Sequence, residues 1–445
     1  MGMEPSPTVR MDMVALRLAL RSSNYFYEQV SYLSNNIGAR LSGSAQAGVA
    51  VAYVAQQMRA LGLAVRLEPV TVPNWRRGKE EARLIRVPEG AVALQKLVVT
   101  ALGNTVGTPP EGVIAQVRVV CTFEEFEQLS ASEVEGAVVL FNYGMDEFAS
   151  QAGRWEQAYK AAYRYRNEGP ARAARRGARA ALVRSVGTLS ARLPHTGFTT
   201  FPADVPQIPA AAVTAEDADL IAYHARNGEV MIRLLLTPES LPPVQSHNVV
   251  ADLPGSRFPE EVIIVSAHLD SWDLGTGALD DAAGIGVAMD TLRIIAETNK
   301  EPLRTVRFVA WMNEENGCAG GDAYVQRHRS ELGSHVAAIE LDYGDGRPLG
   351  LKVCGTQERL APICALLSTV AKPFGGMIPV DTSPAVDIAP LSEAGVPTMA
   401  PLQDAREYFD YHHTAADTFD KVRPEELRKS LELIAPLAYA LAQRD

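Results

Sequence analysis

Four polar residues that lie close together in the sequence have the types and spacing of a metal site. His268 and Asp270 are two residues apart, so on an extended strand end both side chains project to the same face, where one can bind a metal and the other can fix the imidazole ring. Asp280 and Asp281 follow a glycine-rich loop. Two adjacent buried carboxylates repel each other and are costly to desolvate unless a cation accompanies them. The pattern therefore favours a divalent metal ion.

The same residues also have a structural interpretation. A histidine at a strand end is commonly a hydrogen-bonded core residue, and the two adjacent aspartates could cap a helix predicted over 282–295, with Asp290 on its solvated face. A helix cap, however, needs only one carboxylate, and it gives no reason for His268 and Asp270 upstream. The combination makes a metal site the better interpretation.

The elements that must position these residues form an alternating series of strands and helices from Asn248 onward. The apolar run at 262–265 predicts a buried central strand, and two further strands are predicted to end near Asn313 and Asp342. In open α/β sheets, ligands gather beyond the carboxyl ends of the strands. The side chains that these strands deliver to one edge are His268, Asp270 and Asp280, then Glu314 and Glu315, then Asp342.

A histidine pair, His412 and His413, comes late in the chain, in a loop that follows a predicted strand at 397–402. Carboxylates that outnumber histidines, without thiolates, suit zinc or other borderline divalent ions. A structural zinc site is closed by four ligands on nearby chain. These candidates span 268 to 413 and therefore predict an open catalytic centre.

The composition excludes several other classes of protein. The chain has 445 residues, enough for two or three domains, and its 42 Lys and Arg against 53 Asp and Glu give a net charge of −11. This acidity disfavours nucleic acid and anionic membranes as partners, and the sequence has no apolar stretch of about 18 residues that could span a bilayer. The four cysteines are too sparse for a disulfide framework and are predicted to be small buried residues.

Proline- and glycine-rich boundaries divide the chain. Between them lies a segment of short β-like runs and helical pieces without clustered ligand residues, which predicts an inserted domain at 107–244. The catalytic domain is predicted to consist of 1–106 and 245–445. Within the inserted segment, His195 is predicted to be a loop histidine rather than a ligand.

The N-terminal stretch does not have the pattern of a signal peptide, because acidic residues interrupt it and no small-residue cleavage site follows. We therefore expect a cytoplasmic location if the sequence is complete. If a leader has been removed, the protein would be secreted or periplasmic. The sequence alone leaves both open.

Five motifs, HLDSWD, GALDDAAG, NEENG, IELD and YHHTAADT, resemble in type and order those of the zinc aminopeptidase and glutamate carboxypeptidase family, in particular its carboxypeptidase Q-like branch. The resemblance extends to IGARLSGS and HTGF and covers nearly the whole chain after about Leu33. It implies an α/β fold, a mixed doubly wound sheet flanked by helices, with the inserted segment as a β-rich protease-associated domain. It also implies two zinc ions per subunit, peptide substrates and a homodimer.

The resemblance further implies roles for individual residues. The implied zinc ligands are a bridging Asp280, His268 and Asp342 for one ion, and Glu315 and His413 for the other. The other implied roles are Glu314 as general base, Asp270 as the partner of His268 and His412 as an oxyanion donor. A cis peptide bond between Asp280 and Asp281 is also implied. Asn313 departs from the family pattern, which usually has Ala before the glutamate pair.

The predicted function is a two-zinc metallo-exopeptidase, an aminopeptidase or dipeptidase that releases the N-terminal residue of small peptides. The alternative is a non-catalytic receptor-like or binding module on the same fold. Relatives of that kind have lost ligands, whereas this chain retains all of them together with Glu314. A single-zinc cyclase of the same fold is disfavoured because both half-sites are intact.

Overall fold

The chain divides into two compact units, seen in a computed structural model that describes residues 6–88, 95–151, 153–189, 191–297 and 301–444. The first unit contains the described residues up to Val72, Pro243–Tyr408, and those from Asp417 onward. The second unit contains Pro73–Pro242 and a short later segment, Phe409–Ala416. We call this short segment the histidine segment, because it carries His412 and His413.

Strands make up the centre of each unit. In chain order they are β1 (Ala64–Arg76), β2 (Glu80–Arg86), β3 (Lys96–Leu97), β4 (Val99–Ala101), β5 (Val113–Val120), β6 (Val138–Phe141), β7 (Ala180–Arg184), β8 (Ala210–Val213), β9 (Met231–Leu236), β10 (Glu239–Leu253), β11 (Phe258–His268), β12 (Arg304–Trp311), β13 (His335–Glu340), β14 (Pro348–Cys354), β15 (Met377–Pro379) and β16 (Thr398–Gln403). The chain passes between the units within β1 and within β10.

Helices connect most of these strands. In chain order they are α1 (Pro7–Leu20), α2 (Tyr25–Tyr32), α3 (Ala45–Ala60), α4 (Phe123–Gln128), α5 (Ala131–Val134), α6 (Glu147–Gln151), α7 (Trp155–Arg175), α8 (Ala215–Asn227), α9 (Ala283–Glu297), α10 (Glu314–Gly317), α11 (Ala319–Arg327), α12 (Gln357–Leu360), α13 (Cys364–Ala371), α14 (Ala389–Glu393), α15 (Tyr408–Tyr411) and α16 (Pro424–Ala442). None of the described helices is both long and apolar enough to cross a bilayer.

The first unit is built on a mixed sheet with the strand order β1-β10-β12-β11-β13-β16-β14-β15. The central strands β12, β11, β13 and β16 are mutually parallel, whereas β10 runs antiparallel to β12 and β14 runs antiparallel to β16. The predicted mixed α/β sheet flanked by helices is therefore confirmed. Because the central strands are parallel, their carboxyl ends lie at one edge of the sheet.

Helices cover this sheet and complete its core. Helix α9 packs on β11 and β12, and α2 and α16 pack on α9. Ile264 of β11 and Trp311 of β12 belong to a buried cluster with Tyr324 of α11. Asp290, placed on a solvated face of α9 by the sequence, is instead buried, because Ser23 Oγ and Arg293 Nε donate to its carboxylate at 2.8 and 2.7 Å.

Apolar residues at helical spacing over 14–33 predict a single helix, whereas the structure has two helices, α1 and α2, with a break between them. Ser23 lies in the break, and its hydroxyl bonds to the Asp290 carboxylate and accepts from the Tyr25 N–H at 3.4 Å. Side-chain bonds of this kind compete with helical ones. The next helix, α3, ends as predicted before Gly62, whose φ of +79° is accessible to glycine without strain.

The second unit has its own mixed sheet with the order β3-β2-β9-β5-β6-β7-β8-β4. Strands β5 to β8 are parallel, and antiparallel strands flank them on both sides. Its core contains an aromatic cluster made by Phe123, Phe126, Phe141 and Tyr165. The long helix α7 supplies Tyr165 and, one residue later, the buried Arg166.

The four cysteines are free thiols. Cys354 is buried, as the sequence analysis predicted for all four. Cys121 is exposed, and Cys318 and Cys364 have intermediate exposure, so for these residues the prediction of burial is wrong.

Candidate metal centre

Polar side chains from three consecutive turns meet at the carboxyl edge of the first unit's sheet. His268 is the last residue of β11, Glu314 and Glu315 open α10 just after β12, and Asp342 lies two residues beyond β13. Asp280 lies in a π-helical turn over Ala278–Ala282 that precedes α9. Parallel strands deliver these residues to one place, as the alternating sequence pattern predicted.

The His268 ring lies at the centre of this cluster and is completely buried. Its Nε2 is 3.0 Å from Asp280 Oδ1 and 3.1 Å from Asp342 Oδ1. Two groups of three residues each bring one possible ligand atom per residue to within 4.8 Å of one another. One group is His268, Asp280 and Glu315, and the other is His268, Asp281 and Asp342. Two overlapping groups of three therefore share the same imidazole.

Asp270 acts differently from the carboxylate partner of His268 that the sequence analysis expected. Its main-chain oxygen, not its carboxylate, lies 2.9 Å from His268 Nδ1. The carboxylate instead accepts the N–H groups of three consecutive residues, Asn313, Glu314 and Glu315, at 2.7, 3.1 and 3.4 Å. Asp270 therefore fixes both the imidazole and the turn that carries the glutamate pair.

The two adjacent glutamates differ in exposure and contacts. Glu315 is buried, and its Oε1 accepts the N–H of Trp272 at 3.0 Å. Glu314 is partly exposed, so its carboxylate can meet solvent. Burial raises the pKa of both carboxyls well above the ordinary value, and neighbouring carboxylates add to this effect. Asn313, the departure from the family pattern, bonds through its amide to Ser42 and Asn316.

The turn at 278–282 is held by Asp417, for which the sequence analysis assigned no role. Asp417 Oδ1 accepts the N–H groups of Ala278 and Leu279 at 3.0 and 2.7 Å, and its Oδ2 accepts that of Asp280 at 3.2 Å. The Asp280–Asp281 peptide bond is cis, as the family resemblance implied. Asp281 accepts the N–H groups of His268 and Gly284, so its carboxylate joins the strand end to the first turn of α9.

Arg40 is a second residue that the sequence analysis left without a role. It is fully buried, and its guanidinium donates to the carbonyls of Leu269, Thr276 and Gly277 at 2.6, 2.8 and 2.9 Å. One side chain thus holds both ends of the loop at 269–277. The motif that carries Arg40, IGARLSGS, belonged to the resemblance, but contacts across more than 200 residues of sequence are not visible in a pattern.

The charges of the cluster fit a divalent cation. Burial lowers the pKa of His268, but hydrogen bonds to Asp280 and Asp342 outweigh this, so the pKa lies well above its ordinary value. The pKa of Asp281 is also raised well above its ordinary value, in this case by burial and by the nearby carboxylates. The buried guanidinium of Arg40 gives its hydrogen bonds to carbonyl oxygens rather than to these carboxylates. Oxygen and imidazole donors in this geometry suit zinc, which would relieve the repulsion.

Two further buried carboxyls lie in the same unit and were not predicted. Glu340 Oε2 accepts the N–H of Ile388 at 3.0 Å, while Glu340 Oε1 and both oxygens of Asp387 have no hydrogen-bond partner among the described residues. Burial raises the pKa of both carboxyls well above the ordinary value, and repulsion from Asp342 adds to this for Glu340, as repulsion from Glu340 does for Asp387. Glu340 stands in the IELD motif two residues before Asp342, the same spacing as His268 and Asp270, and this signal could have identified it, whereas Asp387 stands in no such pattern.

His412 and His413 belong to the second unit and are described with it. Their rings stack with centroids 3.5 Å apart. His413 Nδ1 lies 3.2 Å from the Thr196 carbonyl oxygen and 3.4 Å from Arg166 Nη1. The histidine segment is attached to the first unit at both ends, by Tyr408 and Asp417.

Comparison with known proteins places this geometry in a family. The model of peptidase family M28 matches residues 248–438, a span that contains every candidate ligand. Carboxypeptidase Q from Homo sapiens is 34% identical over 96% of this chain and 87% of its own length. The chain belongs to peptidase family M28. It is accordingly a zinc metallopeptidase, an enzyme that hydrolyses peptide bonds.

Solved structures support the same assignment for this M28 peptidase. A peptidase M28 precursor from Shewanella amazonensis has a TM-score of 0.91 and 35% identity, and the match covers 98% of this chain and 97% of that one. A zinc aminopeptidase from Bacillus subtilis has a TM-score of 0.66 at 20% identity, covering 93% and 94% of the two chains, which shows a shared fold. The predicted family membership is thereby confirmed.

Proposed function

We propose that this M28 peptidase is a two-zinc exopeptidase that releases the N-terminal residue of small peptides, with Glu314 as general base. The observation that carries the proposal is the position of His268, whose Nε2 lies 3.0 and 3.1 Å from the carboxylates of Asp280 and Asp342. Glu315 lies within reach of the same imidazole. The names of the relatives, carboxypeptidase Q and aminopeptidase, support peptide ends as the substrate.

In this proposal five side chains hold two zinc ions. Asp280 would be shared by both ions, His268 and Asp342 would hold one of them, and Glu315 and His413 would hold the other. When bound, zinc supplies Lewis acidity, which lowers the pKa of water toward neutrality and polarises a carbonyl group. The buried, mutually repelling carboxylates of the cluster support this loading, because bound cations would relieve their repulsion.

Glu314 takes the proton from the attacking water and returns it to the leaving amine. Its partial exposure supports this role, since a general base must reach both water and substrate. Asp270 holds the main chain of Glu314 in place through its N–H group. His412 is proposed to donate a hydrogen bond to the developing oxyanion.

The metal content of the purified protein tests the proposal. We expect two zinc ions per chain, loss of dipeptide hydrolysis after chelation and recovery when zinc is returned. A protein that retains no divalent metal, and that no divalent metal activates, would exclude this function and leave the binding-module alternative. One ion per chain would favour the single-zinc alternative.

The substrate class needs a separate experiment, a panel of free dipeptides, N-acetylated dipeptides and longer peptides. We expect free dipeptides to be cleaved and their N-acetylated counterparts to be poor substrates. Efficient cleavage of blocked peptides or of internal bonds would contradict exopeptidase action. We also propose that the second unit corresponds to the protease-associated domain predicted at 107–244, with the catalytic domain at 1–106 and 245–445.

A further inference from the structure

His413 is fixed by two hydrogen bonds to one residue of the second unit, one through its main chain and one through its ring. The Thr196 N–H donates to the His413 carbonyl at 2.9 Å, and the Thr196 carbonyl oxygen lies 3.2 Å from His413 Nδ1. The backbone of His413 has a φ of +61°, which is uncommon for a residue other than glycine. The ring is therefore held in one orientation by main-chain atoms of a loop more than 200 residues earlier.

Arg166 completes this arrangement. Only 3% of the residue is exposed, and its Nη1 donates to the same Thr196 carbonyl at 3.1 Å while its Nη2 donates to Tyr159 Oη at 3.0 Å. The guanidinium lies 3.4 Å from His413 Nδ1. An arginine cannot accept a hydrogen bond, so the Thr196 oxygen is the acceptor that Nδ1 can use. With the proton on Nδ1, the lone pair of His413 is on Nε2.

The loop around Thr196 is shaped to admit this guanidinium. Gly197 has a φ of +132°, and a Cβ atom there would lie 2.3 Å from Arg166 Cζ. At Gly187 a Cβ atom would lie 2.1 Å from the ring of His195, which is buried and lies in a loop, as predicted. The two glycines thus leave room for planar groups, Gly197 for the Arg166 guanidinium and Gly187 for the His195 ring. The pocket therefore fits arginine closely, and a lysine could not bond to Thr196 and Tyr159 together.

We propose that Arg166 is a positioning residue for the metal centre: acting through the Thr196 carbonyl, it holds His413 in the tautomer whose Nε2 carries the lone pair that binds zinc. This inference rests on the proposed function, in which His413 is a zinc ligand. Metal-binding histidines commonly donate their second ring N–H to a carbonyl or carboxylate, and loss of such a partner lowers metal affinity by about 10–100-fold. Here the partner is a carbonyl that an arginine orients.

The zinc affinity of Arg166→Met, measured by competition with a chromophoric chelator, tests the proposal. We expect the weaker of two zinc ions to bind about 10–100-fold less tightly, while the other is retained. Arg176→Met is the matched control, because the Arg176 guanidinium also donates to main-chain carbonyls of the second unit, those of Phe126 and Leu129. The control should bind both ions as the wild type does.

A double variant separates positioning from general destabilisation. In a His413→Ala background, Arg166→Met should cause no further loss of zinc affinity, because the histidine through which Arg166 acts is already absent. Additive losses would overturn the proposal, and so would wild-type affinity in a folded Arg166→Met protein. If Arg166→Met does not fold, Arg166→Lys takes its place, with a smaller loss expected and wild-type affinity as the contradicting result.

The same measurements distinguish this proposal from the proposed function. If His413→Ala alone leaves zinc affinity unchanged, His413 is not a ligand and the proposed function is wrong in that residue. If His413→Ala weakens binding but a folded Arg166→Met does not, the ligand assignment stands and the positioning role fails.

Discussion

Glu314 and Glu315 are adjacent in sequence, but substitutions of the two are expected to have different effects on kcat and on zinc content. Glu314→Gln should lower kcat by about a hundredfold or more, because it removes the proton acceptor, and should leave the zinc content unchanged. Glu315→Gln is the matched comparison and should lose one zinc ion. Metal analysis and steady-state kinetics check both variants. Loss of metal in Glu314→Gln with retention in Glu315→Gln would reverse the two roles.

His335, at the start of β13, gives a prediction about stability that is independent of the metal. Its Nε2 lies 2.8 Å from Tyr324 Oη, to which Arg307 also donates, and burial lowers the His335 pKa from 6.5 to about 4. Between these two values the unfolded chain binds a proton that the folded chain does not. Stability is therefore fully present above pH 6.5 and is lost as the pH falls toward 4, by up to about 3 kcal/mol.

Urea unfolding of chelator-treated protein at pH 7 and pH 5 measures this contribution. His335→Gln keeps a hydrogen-bonding side chain but does not titrate. From about pH 7 to about pH 5, the free energy of unfolding of the variant should therefore fall by about 2 kcal/mol less than that of the wild type. His224→Gln, on helix α8, is the control and should behave as the wild type. Equal pH dependence in wild type and His335→Gln would contradict the prediction.

At the scale of elements, the loop at 269–277 depends on one arginine. Arg40→Lys keeps the charge but cannot reach three carbonyls at once, so at least one buried acceptor loses its partner, at a cost of about 1–3 kcal/mol. Because the loop leads directly into the turn that carries Asp280, we expect zinc affinity to fall more than tenfold. Thermal unfolding and chelator competition measure the two effects.

Arg428→Lys is the matched control for Arg40→Lys. The Arg428 guanidinium is buried in the same unit and also donates to main-chain carbonyls, those of Leu20 and Ser23. It should destabilise the fold without changing zinc affinity. If both variants change zinc affinity equally, the effect of Arg40 is global and the loop has no special role.

Strand ends were the most predictable part of the structure. The sequence was enough to place His268, Glu315 and Asp342 at one edge of the sheet, because each follows a predicted strand. The carboxyl ends of parallel strands lie at the same edge, which leaves few other positions for these side chains. Arg40 and Asp417 could not be assigned roles in this way. Each acts through main-chain atoms more than 100 residues away in sequence, and no periodicity records such contacts.

At the scale of the whole molecule, helix α16 lends no support to a dimer. Its sequence is apolar on most faces, and the structure buries those faces within the first unit, against α1, α9 and α13. The exposed large apolar side chains of α1 are Met11, Val14 and Leu18, at 68%, 56% and 57% exposure. The homodimer therefore rests on the family resemblance and is a prediction.

Light scattering at micromolar concentration tests the dimer directly. One chain has a mass of 48.0 kDa, so the expected particle has about twice that mass, with two-fold symmetry and self-complementary surfaces. A fully active particle of a single-chain mass would exclude the dimer. Leu18→Glu, measured alongside, reports whether the exposed face of α1 contributes to the contact.

The sequence also predicted that the chain is interrupted by an inserted segment, because composition changes at proline- and glycine-rich stretches. It did not predict that the histidine segment belongs to the second unit. Thr196 and Arg166 hold this segment from positions 217 and 247 residues away from His413. Contacts over such separations depend on the folded arrangement of two loops, which local patterns do not encode.

Two glycines in the first turns of α9 limit how this enzyme can be engineered. A Cβ atom at Gly284 would lie 2.5 Å from the Asp281 carboxylate, and one at Gly286 would lie 2.5 Å from the Phe26 carbonyl oxygen. Replacing helical glycine by alanine is ordinarily a stabilising change of about 0.5–1 kcal/mol. Here a new Cβ atom would push the ligand turn, or α2, away from α9. A thermostability programme that improves helix propensity at these positions would therefore work against the metal geometry.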